Sequence, residues 1–179
     1  KPGLTVVEII DAACEGKITG MYIEGENPAM SDPNTHHARL GLSRLEHLVV
    51  QDIFMTETAY LADVILPAST HAEKLGTFTN TDRLVQIGRP AMDLPGDTRQ
   101  DLWIIQEIGK RLGLDWNYAG PKDVFNEMRL AMPSIAGITW ERLESEDAVT
   151  YPCEHEGDPG EEVIFHDTFP RPNGRAKLV

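Results

Sequence analysis

The stretch HLVVQDIFMTETAYLADVILPAS, residues 47 to 69, holds two short apolar runs, LVV and VIL, each ending in polar or turn-forming residues. Runs of this length, rich in Val, Ile and Leu and bounded by Asp or Pro, are the pattern of strands buried on both faces. An earlier run, ITGMYIE at 18 to 24, ends at Gly25 in the same way. Between and before these runs lie helical signals. Thr5 with Glu8 three residues later is a capping box, followed by Val6, Ile9, Ile10 and Ala13 at helical spacing until Gly16. A second helix is expected from an Asn34 cap through Ala38, Leu42 and Leu45, and IFMTETAYLA reads as a brief third one. Helix and strand alternating at this spacing predict an α/β fold, a Rossmann-like parallel sheet flanked by helices with right-handed crossovers.

Beyond residue 70 the pattern changes. Residues 73 to 89 place Phe78 before, and Leu84, Val85 and Ile87 after, the polar Asn80-Thr81-Asp82, which predicts a β excursion. Asp97 is expected to cap a helix with Leu102, Ile105, Ile108 and Leu112 as its apolar stripe, ended by Gly113. Pro121 suits the first turn of another helix, with Val124, Phe125 and Met128 facing inward. The acidic, Pro- and Gly-rich segment 144 to 162 reads as an extended connector, and EVIFHDTF as an edge strand. The expected organisation is thus an α/β domain over 1 to 143 and a linker over 144 to 179.

The net charge of -13, from 29 acidic and 16 basic residues, repels nucleic acid and anionic lipid surfaces, so neither is an expected partner. No apolar run reaches the roughly 18 residues of a membrane span, and a cytoplasmic location fits this composition. Cys14 and Cys153 have no metal-ligand spacing and read as free thiols. The chain opens on Lys-Pro-Gly with no initiator Met, as a piece of a longer polypeptide would.

In an open parallel sheet, ligands sit beyond the carboxyl ends of the strands. Here those ends are EGENPAMS, QDIFMTET and LPAST, all rich in hydrogen-bonding groups. Asp52 offers two acceptor oxygens suited to a guanine edge or ribose hydroxyls. Asx turns and helix caps account equally for Asn27, Asp32, Asn34 and Thr56. Neither GxGxxG nor GxxxxGK[ST] is present. His36 and His37 are neighbours and so point to different faces of any helix; His71 and Glu73 have the spacing of a strand-borne metal pair but no third ligand. Glu57 and Asp63 have the chemistry of an acid and a base, but in so acidic a chain a solvated face is the better reading of them. No nucleophile has a partner at credible spacing, so no catalytic residue and no metal ligand is assigned.

Four strings go further: GENPAMSDPN, HLVVQDIFMTETAYLADVILPAS, EKLGTFTNTDRLVQ and TRQDLWIIQEIGKRLGL. Together with GITWERLE, AVTYPC and FPRPNGRAKLV they closely resemble the alpha, or catalytic, subunit of molybdenum-dependent formate dehydrogenases in the molybdopterin oxidoreductase superfamily. The resemblance implies the third, α/β domain of that subunit plus a linker toward its C-terminal cofactor-binding domain. It implies bis-molybdopterin guanine dinucleotide with molybdenum, iron–sulfur clusters elsewhere in the subunit, and two-electron oxidation of formate to carbon dioxide with electrons passing toward NAD. The implied partners are the rest of the catalytic subunit and iron–sulfur or flavin NAD-reducing subunits. By the same resemblance, Gly25, Glu26, Asn27, Gln51 and Asp52 form a wall against one guanine dinucleotide arm, with Asp52 reading guanine, and Thr56, Glu57 and Thr58 bind that arm or cap a helix. The isolated segment is expected to be inactive and to hold no cofactor tightly. A related enzyme such as a cytoplasmic nitrate reductase, or a non-catalytic scaffold domain, are the alternatives.

Overall fold

Three strands set the frame of the N-terminal part: β1 (Gly20–Glu24), β2 (His47–Asp52) and β3 (Val64–Pro67), all parallel in the order β1-β2-β3. The computed structural model describes residues 3 to 178. Helix α1 (Val6–Cys14) begins at the capping box in which Thr5 and Glu8 satisfy one another's backbone N–H groups. A short α2 (Pro28–Ser31) and α3 (Thr35–Ser43) connect β1 to β2, and the Asn34 side chain caps α3 by accepting from the His37 N–H. Ile23, Leu48 and Val50 from the strands pack with Ala29, Leu42 and Ala59 as one apolar core. Strand β2 is buried as the run LVV suggests. Strand β3, expected from VIL to be buried on both faces, lies at the sheet edge with Val64 and Ile65 exposed.

The helix expected over IFMTETAYLA is a single 3-10 turn, Ala59–Leu61. Asp52 explains the difference, because its Oδ1 accepts from the N–H groups of both Ile53 (2.7 Å) and Phe54 (3.3 Å). A side chain that bonds its own following backbone holds the chain in a turn and competes with helix formation. Phe54, Met55 and Tyr60 are consequently exposed.

The described chain divides into two compact units, the first made of residues up to Lys74 together with Pro90–Trp116, the second of Leu75–Arg89 and Asn117 onward. In the first unit, α4 (Asp101–Arg111) starts three residues later than an Asp97 cap would place it, since Thr98 N–H turns back to the Pro95 carbonyl. Ile104 and Gly109 are its buried residues, while Leu112 is exposed. Gly113, at φ +86°, ends the helix as its sequence position suggests.

The second unit is built on an antiparallel sheet of β4 (Gly76–Thr79), β5 (Leu84–Gly88) and β6 (Ala148–Thr150). Helices α5 (Pro121–Ala131) and α6 (Trp140–Glu146) complete its core of Val85, Phe125, Ile135, Ile138, Trp140, Leu143, Val149 and Cys153. Phe125 and Trp140 meet edge to face at 6.2 Å, whereas Met128, expected to face inward, keeps 37% of its surface exposed. The extended connector expected from residue 144 therefore starts later: 144 to 146 close α6, and Val149 pairs with Val85 inside the core. Acidic composition concealed two apolar residues, Leu143 and Val149, that are each nearly fully buried. Residues 162 to 169, read as an edge strand, form turns and bends. Arg83 donates to the backbone carbonyls of Glu161 (2.8 Å) and Glu162 (2.7 Å), fastening this segment.

Gly137 packs directly on backbone, since a Cβ there would lie 2.1 Å from the His155 carbonyl oxygen. Gly137→Ala is expected to destabilise the protein by about 1–3 kcal/mol through backbone displacement, measured as a lower urea midpoint with unchanged slope.

Candidate functional site

Because the three strands of the first unit run the same way, their carboxyl ends meet at one edge: Glu24 stands opposite Gln51, and Asp52 opposite Pro67. A cavity of about 280 Å³ opens there, lined by Gly25, Gln51, Asp52 and Ile53 from two strand ends and by the 68 to 71 turn, Lys74 and Asp101. Gly25 has φ +63°, a conformation that favours glycine, and its N–H bonds the Gln51 carbonyl at 2.9 Å.

Gln51 has no exposure to solvent, so each end of its amide must find a partner within the protein. Its Oε1 accepts from the Tyr22 hydroxyl, and its Nε2 donates to Asp101 Oδ1 (2.8 Å) and Glu24 Oε1 (3.2 Å). Tyr22 and Glu24 are two residues apart on β1 and so share a face. Asp101 in turn accepts from the Lys74 ammonium, which also donates to the Ser69 carbonyl at 3.1 Å. Burial pushes the Asp101 carboxyl up, but hydrogen bonds from Lys74 and Gln51 outweigh it and hold the group below the usual aspartate range. Burial, reinforced by the Asp101 charge, raises Glu24; burial and these two carboxylates push Tyr22 up to about 12.

Asp52 differs from its neighbours. Its Oδ1 is occupied by two backbone N–H groups, while Oδ2 has no hydrogen-bond partner among the described residues. A carboxylate oriented by one oxygen and open at the other is a prepared acceptor for a ligand N–H or hydroxyl.

The remaining residues singled out at the strand ends form a second group. Asn27 Oδ1 accepts from the Thr58 N–H (3.1 Å) and hydroxyl (2.8 Å), and Thr58 Oγ1 accepts from the Ala29 N–H (3.0 Å). Asn27 Nδ2 donates to Glu57 at 2.7 Å, and Thr56 Oγ1 accepts from the Ala59 N–H. This set ties the loop after β1 to the loop after β2. Glu26 lies on a separate apolar groove beside Tyr22 and Val6. Lys74, Asp101, Ser69 and Tyr22 were not singled out from the sequence; Lys74 and Asp101 lie 27 residues apart, with no local pattern to connect them. Glu73, whose spacing to His71 is that of a metal pair, caps its own turn by accepting from the Thr70 N–H, and Asp63 accepts from the Leu48 N–H at the start of β2. Among the described residues, no three His, Cys, Asp or Glu side chains are grouped to hold a metal, and no helix is long and apolar enough to cross a membrane.

Residues 1 to 111 match the family model described as molybdopterin oxidoreductase. The chain belongs to that family. It is 46% identical over 178 residues to the F420-dependent formate dehydrogenase subunit alpha of Methanocaldococcus jannaschii, covering 98% of this chain and 26% of that protein. It is 42% identical over 180 residues to the putative formate dehydrogenase YrhE of Bacillus subtilis, covering 100% of this chain and 18% of that protein. Acetylene hydratase from Pelobacter acetylenicus shares the fold, with a TM-score of 0.65 at 22% identity over 81% of this chain and 20% of that one. The chain thus spans about a quarter or less of the relatives it matches.

Replacing Lys74 by Met leaves the Asp101 carboxylate, about three-quarters buried, without its cation. The expected cost is about 1–3 kcal/mol in urea unfolding at pH 7. Because the carboxyl is depressed in the folded state, this stabilisation is present above the ordinary aspartate range and is lost as pH falls through the depressed value. The two unfolding midpoints should converge only on strong acidification.

Proposed function

We propose that this chain is a segment of the catalytic subunit of a molybdenum-dependent formate dehydrogenase, in which the strand-end cavity receives the nucleoside part of one guanine dinucleotide arm of the cofactor. The observation that carries this reading is Asp52, fixed through Oδ1 and open at Oδ2 on the cavity wall. A carboxylate so placed accepts from the adjacent N–H donors of a guanine edge, or from ribose hydroxyls.

The residues present fit such an arm in size and charge. About 280 Å³ lies near the lower bound of ordinary ligand sites, enough for a base and sugar rather than a whole dinucleotide. Asp52, Asp101 and Glu24 together repel a pyrophosphate, and Lys74 is already committed to Asp101, so the phosphates belong further out, past Gly25. When bound, the cofactor supplies the metal centre at which formate loses two electrons to give carbon dioxide. This chain contributes shape and hydrogen bonds. Gln51 holds the cavity wall, while Asn27 with Thr56, Glu57 and Thr58 ties together the loops that carry it, and Glu26 opens on the neighbouring groove.

The formate dehydrogenase names of the two relatives support the substrate. The same scaffold also serves enzymes with other substrates, and a neighbouring relative is named only a probable oxidoreductase, YjgC of Bacillus subtilis. For the electron acceptor two readings stand, NAD through iron–sulfur and flavin subunits, and F420, which the name of the M. jannaschii relative specifies. The rest of the subunit is the first partner, with residues 163 to 178, past the Arg83 contact, leading toward a further domain, in a cytoplasmic enzyme.

The test is molybdenum content and formate-dependent dye reduction of the full polypeptide, followed by NAD and F420 as acceptors. Asp52→Asn keeps the two turn hydrogen bonds but presents an amide to the guanine edge. Molybdenum and guanine nucleotide retained after gel filtration should fall about tenfold, in line with roughly 1–3 kcal/mol for a base-edge contact. Full retention of both would remove Asp52 from the cofactor site, and molybdenum without formate activity would move the substrate elsewhere.

A further inference from the structure

A second cluster of chemically competent side chains lies between α1 and α3, and none of its members lines the strand-end cavity. Cys14 is the last residue of α1, and its Sγ lies 3.6 Å from Nδ1 of His37 and 3.4 Å from the His37 carbonyl oxygen. The other ring nitrogen of His37, Nε2, is 2.7 Å from Asp11 Oδ1, one helical turn before Cys14. A carboxylate accepts, so this contact puts the imidazole hydrogen on Nε2 and leaves the Nδ1 lone pair facing the thiol. Thiol, imidazole and carboxylate are thereby in series: a nucleophile next to a base that a third group orients.

The local structure holds this series in place. Asn34 accepts from the His37 backbone N–H, fixing the ring at the first turn of α3, and the Arg44 guanidinium donates to the Cys14 carbonyl. Gly41 leaves room for the sulfur, since a Cβ there would come within 3.1 Å of Sγ. The His37 and Asp11 side chains are 38% and 53% exposed, and Cys14 is partly exposed, so a small solute in water reaches the cluster. Cys153, by contrast, has no exposure and faces Arg142 rather than a base.

We propose that Cys14, His37 and Asp11 form a thiol modification site that takes small, uncharged disulfides and becomes a mixed disulfide. In the step, Nδ1 of His37 takes the thiol proton and the Cys14 sulfur attacks one sulfur of the incoming disulfide. The Cys14–S bond to that sulfur forms as the disulfide bond breaks, and the departing thiolate takes the proton back from His37. One disulfide is consumed and one formed, so no further oxidant or reductant is required. Uncharged disulfides are favoured because the chain carries a net charge of -13 and the Asp11 carboxylate stands within the cluster on His37.

The test uses the full polypeptide at pH 7 with bis(2-hydroxyethyl) disulfide, following the adducts on the Cys14 and Cys153 peptides by mass spectrometry over time. The Cys14 adduct should form at least tenfold faster than the Cys153 adduct and be reversed by dithiothreitol. His37→Ala should slow Cys14 about tenfold, with added imidazole restoring part of the rate, and Asp11→Asn should slow it less. A Cys14 rate unchanged or raised in His37→Ala, with Cys153 still protected, would reduce the cluster to a helix-packing contact and overturn the proposal. If His37→Ala exposes Cys153, and with it a loss of fold, Asp11→Asn decides: an unchanged rate there overturns the proposal, a slowed one supports it.

Discussion

A primary amide without access to water stands at the end of the central strand, and the site depends on satisfying it. Gln51 has one acceptor oxygen and two donor hydrogens; an unmade bond at such a place costs about 1–3 kcal/mol. Its partners fix the neighbours in turn. Tyr22 and Glu24 must lie on one face of β1, Asp101 must open α4 beside them, and Lys74 must compensate the Asp101 charge. The cavity floor is therefore a connected polar network. Side chains on the strand ends, the turn after β3 and the start of α4 have little freedom to move separately.

Charge distribution explains how such a network tolerates two neighbouring carboxylates. Glu24 is raised and Asp101 is held down, so proton affinity is divided unequally between them. The ammonium of Lys74 settles the division by bonding Asp101. Asp52, turned aside by its own backbone contacts, stays outside this arrangement and keeps an oxygen for something else.

Much of the architecture was legible because its signals are local. The capping box of α1, the Asn34 cap, the three apolar runs and the β4–β5 turn each lie within about ten residues of sequence. What was not legible depends on distance or on competition. Gln51 and Asp101 are 50 residues apart, and Cys14 and His37 are 23 apart, so neither pairing leaves a trace in spacing. Asp52 stands at the end of β2 where the sequence puts it, yet its side chain dissolved the helix expected after it. Leu143 and Val149 went unnoticed in an acidic stretch because two apolar residues six apart set no period, although Thr139 ahead of Trp140 was a usable cap signal.

Each unit is assembled from pieces of chain that the other interrupts: the first is left at Lys74 and resumed at Pro90, and the second is left at Arg89 and resumed at Asn117. During synthesis this imposes an order. The three parallel strands can emerge and pair early, but Gln51 and Lys74 wait for Asp101 before their network closes. The β4–β5 hairpin leaves the ribosome with β5 lacking its β6 neighbour until residue 148 is made. A nascent chain stalled between these points carries an unprotected sheet edge and a half-satisfied polar cluster, the stage at which a chaperone has most to hold.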